Sequence, residues 1–315
     1  MIQQRPHGRV PVAQDLSPAP RVRLHVKRSA LCAAVAIALT VLHATPASAR
    51  DFLWRVTGKT GTVYLVGSVH MLSQDFYPLS KTLDEAFKES DLLVEEADLT
   101  ELLAPQAQLL MLSRGMLASD QTLDKVISPE TFATVTRRVA TLGLPIEPLK
   151  RFKPWSLALM LTQLEWQKAG FDAELGLDRH FYDRARSDGK RVQGLETAEF
   201  QIAQLDGLPM DLQERMLAEA VNELDSEMAN LSTLTTAWKT GDGPTVERIV
   251  LQDMKKEPAI YQRLLVARNR NWLPQLEALF NRSGRAFVVV GAAHLIGPDG
   301  LIAMLTAKGY QLEQM

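Results

Sequence analysis

A run of β-branched and apolar residues that ends in Gly-x-x-His occurs twice in this chain and constrains its fold more than any other feature. The first copy is Gly67-Ser68-Val69-His70, after residues 62–66; the second is Gly291-Ala292-Ala293-His294, after residues 286–290. More than two hundred residues separate them, so a joint role requires a fold that brings the two ends of the chain together. Histidine is scarce, and beyond residue 49 the imidazoles are His70, His180 and His294. Two of these three occupy equivalent places.

The segment Arg21-Val22-Arg23-Leu24-His25-Val26-Lys27-Arg28 is basic and leads into an apolar stretch over residues 29–42, which ends near Pro46-Ala47-Ser48-Ala49. Charge, apolar core and an A-x-A site in that order predict a secretory signal peptide and leader over 1–49, cut after Ala49. The apolar run is short for a membrane span of roughly 20 residues, so the expectation is a periplasmic or secreted protein with no stable membrane span after cleavage. Removal of the leader takes away Cys32, the single cysteine, which excludes disulfides and thiolate metal sites from the mature chain. The leader also carries six of the 35 basic residues and one of the 37 acidic ones, which leaves a mature net charge near −7. A nucleic-acid partner would need a basic stripe instead.

Residues 52–56, a turn from Gly58 to Gly61 and residues 63–66 read as a hairpin whose second strand delivers His70. Residues 80–90 place Leu83, Ala86 and Phe87 at amphipathic-helix spacing. Leu92-Leu93-Val94 is a short buried strand ending in Glu95-Glu96-Ala97-Asp98, and a strand, helix, strand order implies a parallel return. Residues 100–283 are mostly helical in pattern, with helix starts at Pro129 and Pro154 and helices over 212–231 and 246–254. A strand over 191–195 ends at Glu196, and a helix over 259–280 contains Pro274, which is expected to kink it. Residues 286–290 form the strand that delivers His294, and a helix over 301–308 precedes a last extended piece at 310–312. The fold class is therefore α/β. A central, mostly parallel sheet is built from both chain ends, within a domain over 50–315 that carries a large helical insertion at about 100–283.

In an open α/β sheet ligands collect outside the carboxyl ends of the strands. His70, Glu96, Glu196 and His294 each lie just past a predicted strand, so the four share one sheet edge. The glycine ahead of each histidine suits a chain leaving a strand sharply and lets another group approach. Imidazole nitrogen with carboxylate oxygen suits a divalent ion such as Mn, Co, Fe or Zn. Blander readings stand beside these. Glu95 and Glu96 would then be solvated charges at a strand end, and Glu196 the cap of a helix beginning near Thr197. Asp178 and His180 fall on a helix over 175–186, with His180 expected on its exposed side. Arg268, Asn269 and Arg270 interrupt an apolar helix pattern; one of them would clamp a substrate carboxylate or steady a catalytic acid, or the three are a surface stripe. The tryptophans read as core or groove residues.

Several stretches taken together resemble the TraB/GumN family, which is distantly similar to the Tiki metalloproteases and to erythromycin-esterase-like proteins. They are Leu53-Trp54-Arg55, Tyr64-Leu65-Val66 with the first Gly-x-x-His, Val94-Glu95-Glu96-Ala97-Asp98-Leu99, Gly176-Leu177-Asp178, Gly194-Leu195-Glu196-Thr197, Arg268-Asn269, and Val290 with the second Gly-x-x-His. The resemblance covers nearly the whole mature chain. It implies metal-dependent peptide cleavage, with His70, His294 and Glu96 as ligands to Mn, Co or Zn, and Glu95 in place of Glu96 if the strand register is shifted by one. Such an ion would lower the pKa of its water and polarise the scissile carbonyl while a carboxylate took the proton. The expected partner is a peptide or protein substrate. Two alternatives remain: a non-catalytic binding protein that sequesters a peptide, metal or haem-like ligand, and a metal-independent esterase-like hydrolase with a histidine as general base.

Overall fold

The computed structural model describes residues 50–315, and the leader predicted over 1–49 lies outside the described residues. β1 (Leu53–Thr57) and β2 (Gly61–Ser68) form the expected antiparallel hairpin, with Leu53 opposite Val66 and Thr57 opposite Thr62. Helix α1 (Lys81–Glu89) starts where the Ser80 hydroxyl accepts the Leu83 N–H at 3.1 Å, and it buries Leu83, Ala86 and Phe87. That pattern is the amphipathic stripe with an oxygen cap on the first-turn donors. β3 (Leu92–Ala97) runs beyond its apolar part, so Glu95 and Glu96 lie inside the strand rather than past it.

The helices that follow include α2 (Pro154–Lys168) and α3 (Leu177–Ser187). After β4 (Arg191–Glu196), α4 (Met210–Lys239) has 30 residues and extends past the expected end at 231. α5 (Ala267–Phe280) is preceded by a π-helical segment, Gln262–Val266. Pro274 lies within α5, but the break in α-helical bonding falls earlier, at that segment. β5 (Gly284–Gly291), α6 (Leu301–Ala307) and β6 (Leu312–Gln314) complete the order.

The six strands form one sheet in the order β4-β3-β5-β2-β1-β6. β4, β3, β5 and β2 are mutually parallel, whereas β1 runs antiparallel to both β2 and β6. The return from β2 to β3 is parallel, yet the two are not neighbours, because β5 from the far end of the chain lies between them. Ala286, Phe287, Val288, Val289 and Val290 are buried in succession, as a central parallel strand covered on both faces requires. The main core surrounds this sheet. A second apolar cluster joins Leu123, Val135, Val139, Leu157, Leu161 and Leu217 among the helices. No helix among the described residues is long and apolar enough to cross a membrane.

Candidate active site

The parallel strands place their carboxyl ends along one edge. Ser68 stands opposite Gly291, and Ala97 opposite Glu196, so the continuation of each strand carries a polar group to the same margin. A methyl group built on Gly291 would stand 3.2 Å from Glu96 Oε1, 3.6 Å from His70 Nε2 and 3.7 Å from His294 Cδ2. Both histidines and Glu96 therefore converge over one glycine. Gly67 and Gly291 are both absent from the positive-φ residues, so close approach accounts for them and backbone conformation does not.

Side-chain alternation along β3 separates the two adjacent glutamates. Glu96 enters the cluster, where Oε1 accepts the Gly291 N–H at 2.7 Å and Oε2 accepts from Arg268 Nη2. Burial would push its carboxyl up, but His294, Arg268 and His70 outweigh it and hold Glu96 well below the usual carboxylate range. Glu95 is buried away from the cluster, and burial, reinforced by Asp178, Asp98 and Asp183, pushes it up to about 8. Glu96, and not Glu95, is therefore the glutamate that lies beside the two histidines.

The two histidines differ sharply in environment. His294, in the short helix Ala292–Leu295, is 7% exposed, and its ring lies 4.4 Å from that of Trp272. Asn269 Nδ2 donates to the carbonyls of His294 (3.2 Å) and Asp299 (2.9 Å), which turns Asn269 Oδ1 toward His294 Nδ1 at 2.7 Å. An amide oxygen only accepts, so Nδ1 carries the proton and Nε2 presents a lone pair. That lone pair accepts from Arg268 Nη1 at 3.2 Å. Burial, with Arg268 alongside, pushes the His294 imidazole down to about 4, and its 3.9 Å approach to Glu96 Oε1 is not an ion pair at neutral pH.

His70 is 62% exposed at the margin, and its Nδ1 lies 3.2 Å from Asp178 Oδ1. The Asp178 carboxylate raises its pKa, and the exposed ring lets solvent screen the pair. Asp178 reaches this position because the start of α3 packs on the His70 main chain. Leu177 N–H donates to Val69 O at 3.2 Å, and any Cβ at Gly176 would collide with His70 O. No residue among those described bonds to His70 Nε2.

Arg268 ties the buried side of the cluster together. Nε donates to Glu196 (2.9 Å to Oε1), Nη1 to Leu264 O (3.3 Å) and His294 Nε2 (3.2 Å), and Nη2 to Glu96 Oε2 and Glu196 Oε1. All five guanidinium donors are thereby directed at protein acceptors, and none is left for a substrate carboxylate. Arg268 is thus a buried tie, and the surface-stripe alternative does not apply to it. Glu196 belongs to this tie, with Trp272 Nε1 also donating to its Oε2 at 2.9 Å. The cap of the following helix is Thr197, whose hydroxyl accepts the Phe200 N–H. Trp272 is fully buried, and its indole N–H gives it a specific polar contact as well as a packing role.

Two further expectations change. His180 is half-buried, its ring 5.1 Å from those of Tyr77 and Phe181, so it packs instead of facing solvent. Asp178 and Asn269, which sequence reasoning left without a defined role, set the protonation of the two imidazoles. Their sequence signals were membership of the Gly-Leu-Asp and Arg-Asn stretches that carry the family resemblance and, for Asn269, its place in the polar interruption of an apolar helix pattern.

The residues present do not fit the implied divalent ion. Among the described residues, no group of three or more histidine, cysteine, aspartate or glutamate side chains is arranged to hold one. The physical reason is Arg268, whose cationic Nη1 already takes His294 Nε2, the lone pair such an ion would use, and whose Nη2 holds Glu96 through Oε2.

The chain is 30% identical to the uncharacterized protein YbaP of Escherichia coli (strain K12), over 77% of this chain and 87% of the relative. The same values hold for the uncharacterized YbaP of Shigella flexneri. An uncharacterized protein of Treponema pallidum (strain Nichols) is 22% identical over 81% of this chain and 80% of its own. No solved structure matches. The model of the TraB/PrgY/gumN family matches residues 52–314, end to end through both Gly-x-x-His motifs, and the chain belongs to that family.

Proposed function

We propose that this protein is exported, cut near Ala49, and acts as a hydrolase that cleaves a peptide or ester bond with His70 as general base. The observation that carries this reading is the asymmetry of the two imidazoles. His294 has both ring nitrogens committed, whereas His70 is exposed, has Nδ1 within 3.2 Å of Asp178 Oδ1, and among the described residues keeps Nε2 free over Gly291 beside Glu96. An acid that orients a histidine through one nitrogen and leaves the other to the reacting proton is the arrangement general-base catalysis requires.

In the proposed reaction His70 Nε2 takes a proton from water as its oxygen adds to the carbonyl carbon. The same proton passes to the leaving amine or alkoxide when the acyl bond breaks. The ionised Glu96 carboxylate stabilises the imidazolium formed in between, and Asp178 holds the tautomer. Because the raised pKa keeps His70 protonated at lower pH, turnover should rise with pH through a midpoint above the ordinary histidine value of 6.5.

The mature protein, residues 50–315, would be tested against a peptide library and a panel of acyl esters. His70→Ala should abolish cleavage with the fold retained by circular dichroism. Undiminished turnover in that variant refutes the reading. Stoichiometric capture of a library peptide without turnover would instead point to a non-catalytic binding protein.

A further inference from the structure

We infer that Arg268 is the resident cation of this site, and that Glu96, Glu196 and His294 take a divalent metal ion only when the guanidinium is removed. The inference rests on how completely the arginine is used. Arg268 is 12% exposed, between Glu96 at 12% and Glu196 at 5%, and every one of its donors meets an acceptor. A guanidinium stays charged across the working pH range and matches carboxylate oxygens in a planar fork, so it meets both carboxylates without water or metal. Trp272 fixes it further, with the guanidinium carbon 4.7 Å from the ring centre and the indole N–H on Glu196.

An ion bound to His294 and Glu96 would sit about 2.0–2.2 Å from their donor atoms. Arg268 Nη1 is 3.2 Å from that same His294 nitrogen, so ion and guanidinium would compete for one lone pair while repelling each other. Without the guanidinium, two buried carboxylates and an imidazole lone pair already held in the ligand tautomer by Asn269 would face one space. That donor set of oxygen and nitrogen is the kind Mn, Co and Zn accept. Arg268 therefore supplies the site's positive charge permanently, in place of an exchangeable ion.

The test reads metal content and does not depend on whether His70 acts as a base. Mature wild-type protein, Arg268→Met and Arg268→Lys are each incubated with Mn, Co or Zn, dialysed, and assayed for bound metal per chain and for a metal-dependent shift in Tm. The expected result is one ion per chain and a raised Tm in Arg268→Met, with neither in wild type or Arg268→Lys, whose ammonium keeps the charge. A stoichiometric ion in the wild type overturns the inference, as does a folded Arg268→Met that binds none. If the neutral variant does not fold, the wild-type measurement still decides whether the native site takes an ion.

Discussion

Glu95→Gln should reverse part of the pH dependence of this protein's stability. Glu95 is 2% exposed; its Oε2 accepts the Leu99 N–H at 3.4 Å, and Oε1 has no hydrogen-bond partner. Burial first, then Asp178, Asp98 and Asp183, push its carboxyl from the ordinary 4.5 up to about 8. The native state therefore holds a proton across a window in which the unfolded chain has released it. Stability from this group is fully present below pH 4.5 and is lost as pH rises to about 8. Each pH unit inside the window is worth about 1.4 kcal/mol, so a step from pH 5.5 to 7.5 costs the wild type about 3 kcal/mol from this residue. Glutamine keeps the shape and the acceptor for Leu99 but cannot ionise. Urea denaturation of both proteins at the two pH values measures the effect. The difference between variant and wild type should grow by roughly 3 kcal/mol in favour of glutamine toward pH 7.5. The histidines titrate in both proteins and cancel in that difference. Glu96, whose carboxyl is held low, changes only in more acidic solution. An equal pH slope in both proteins would refute the assignment of a buried, protonated Glu95.

Two other substitutions probe the imidazoles. Asp178→Asn should lower the His70 titration midpoint toward 6.5, by somewhat less than about one pH unit, since a partly exposed pair is worth about 1 kcal/mol or less; an unmoved midpoint in proton NMR argues against the pairing. Asn269→Leu strands the His294 Nδ1–H and the carbonyls of His294 and Asp299, and should cost roughly 3 kcal/mol in chemical denaturation. A loss below about 1 kcal/mol would mean those groups find other partners.

The sheet and its edge were legible because local pattern determines them. Alternating and continuous apolar runs locate the strands, and a parallel arrangement places every carboxyl end on one side. The interleaving of β5 between β2 and β3 was not legible, since two buried strands of similar composition carry no local mark of which one is central. The length of α4 was hidden by its polar end. Thr235, Thr236 and Thr240 bond back to carbonyls three or four residues earlier, and Trp238 is anchored by its indole N–H on Gly67 O at 2.7 Å, a tertiary contact that propensity cannot register. The unequal fates of the two histidines were hidden for the same reason. Each is set by distant partners, Asp178 in one case and Asn269 with Arg268 in the other, and none of them belongs to the motif.

That inequality extends to the motif glycines and predicts opposite phenotypes for the same substitution. At Gly67 a Cβ would lie 2.3 Å and 2.6 Å from the Phe52 ring and 3.1 Å from Ala292 Cα. Phe52 is fully buried and in edge contact with Trp54 at 4.9 Å, so it has little room to yield. Gly67→Ala should therefore overpack the core and cost about 1–3 kcal/mol. At Gly291 the one tight contact is Glu96 Oε1 at 3.2 Å, the end of a side chain, with His70 Nε2 and His294 Cδ2 at 3.6 Å and 3.7 Å, so a methyl asks only a shift of a few tenths of an ångström from that carboxylate and not from the backbone. It would instead stand beside Glu96 and His70 Nε2, where the proposed reaction would have to admit water and substrate. Gly291→Ala should thus keep a near wild-type denaturation midpoint and lose turnover of whichever ester or peptide the wild type cleaves. A stable, fully active Gly291→Ala would mean that the space above this glycine is not where the reaction occurs, whatever Gly67→Ala does to stability.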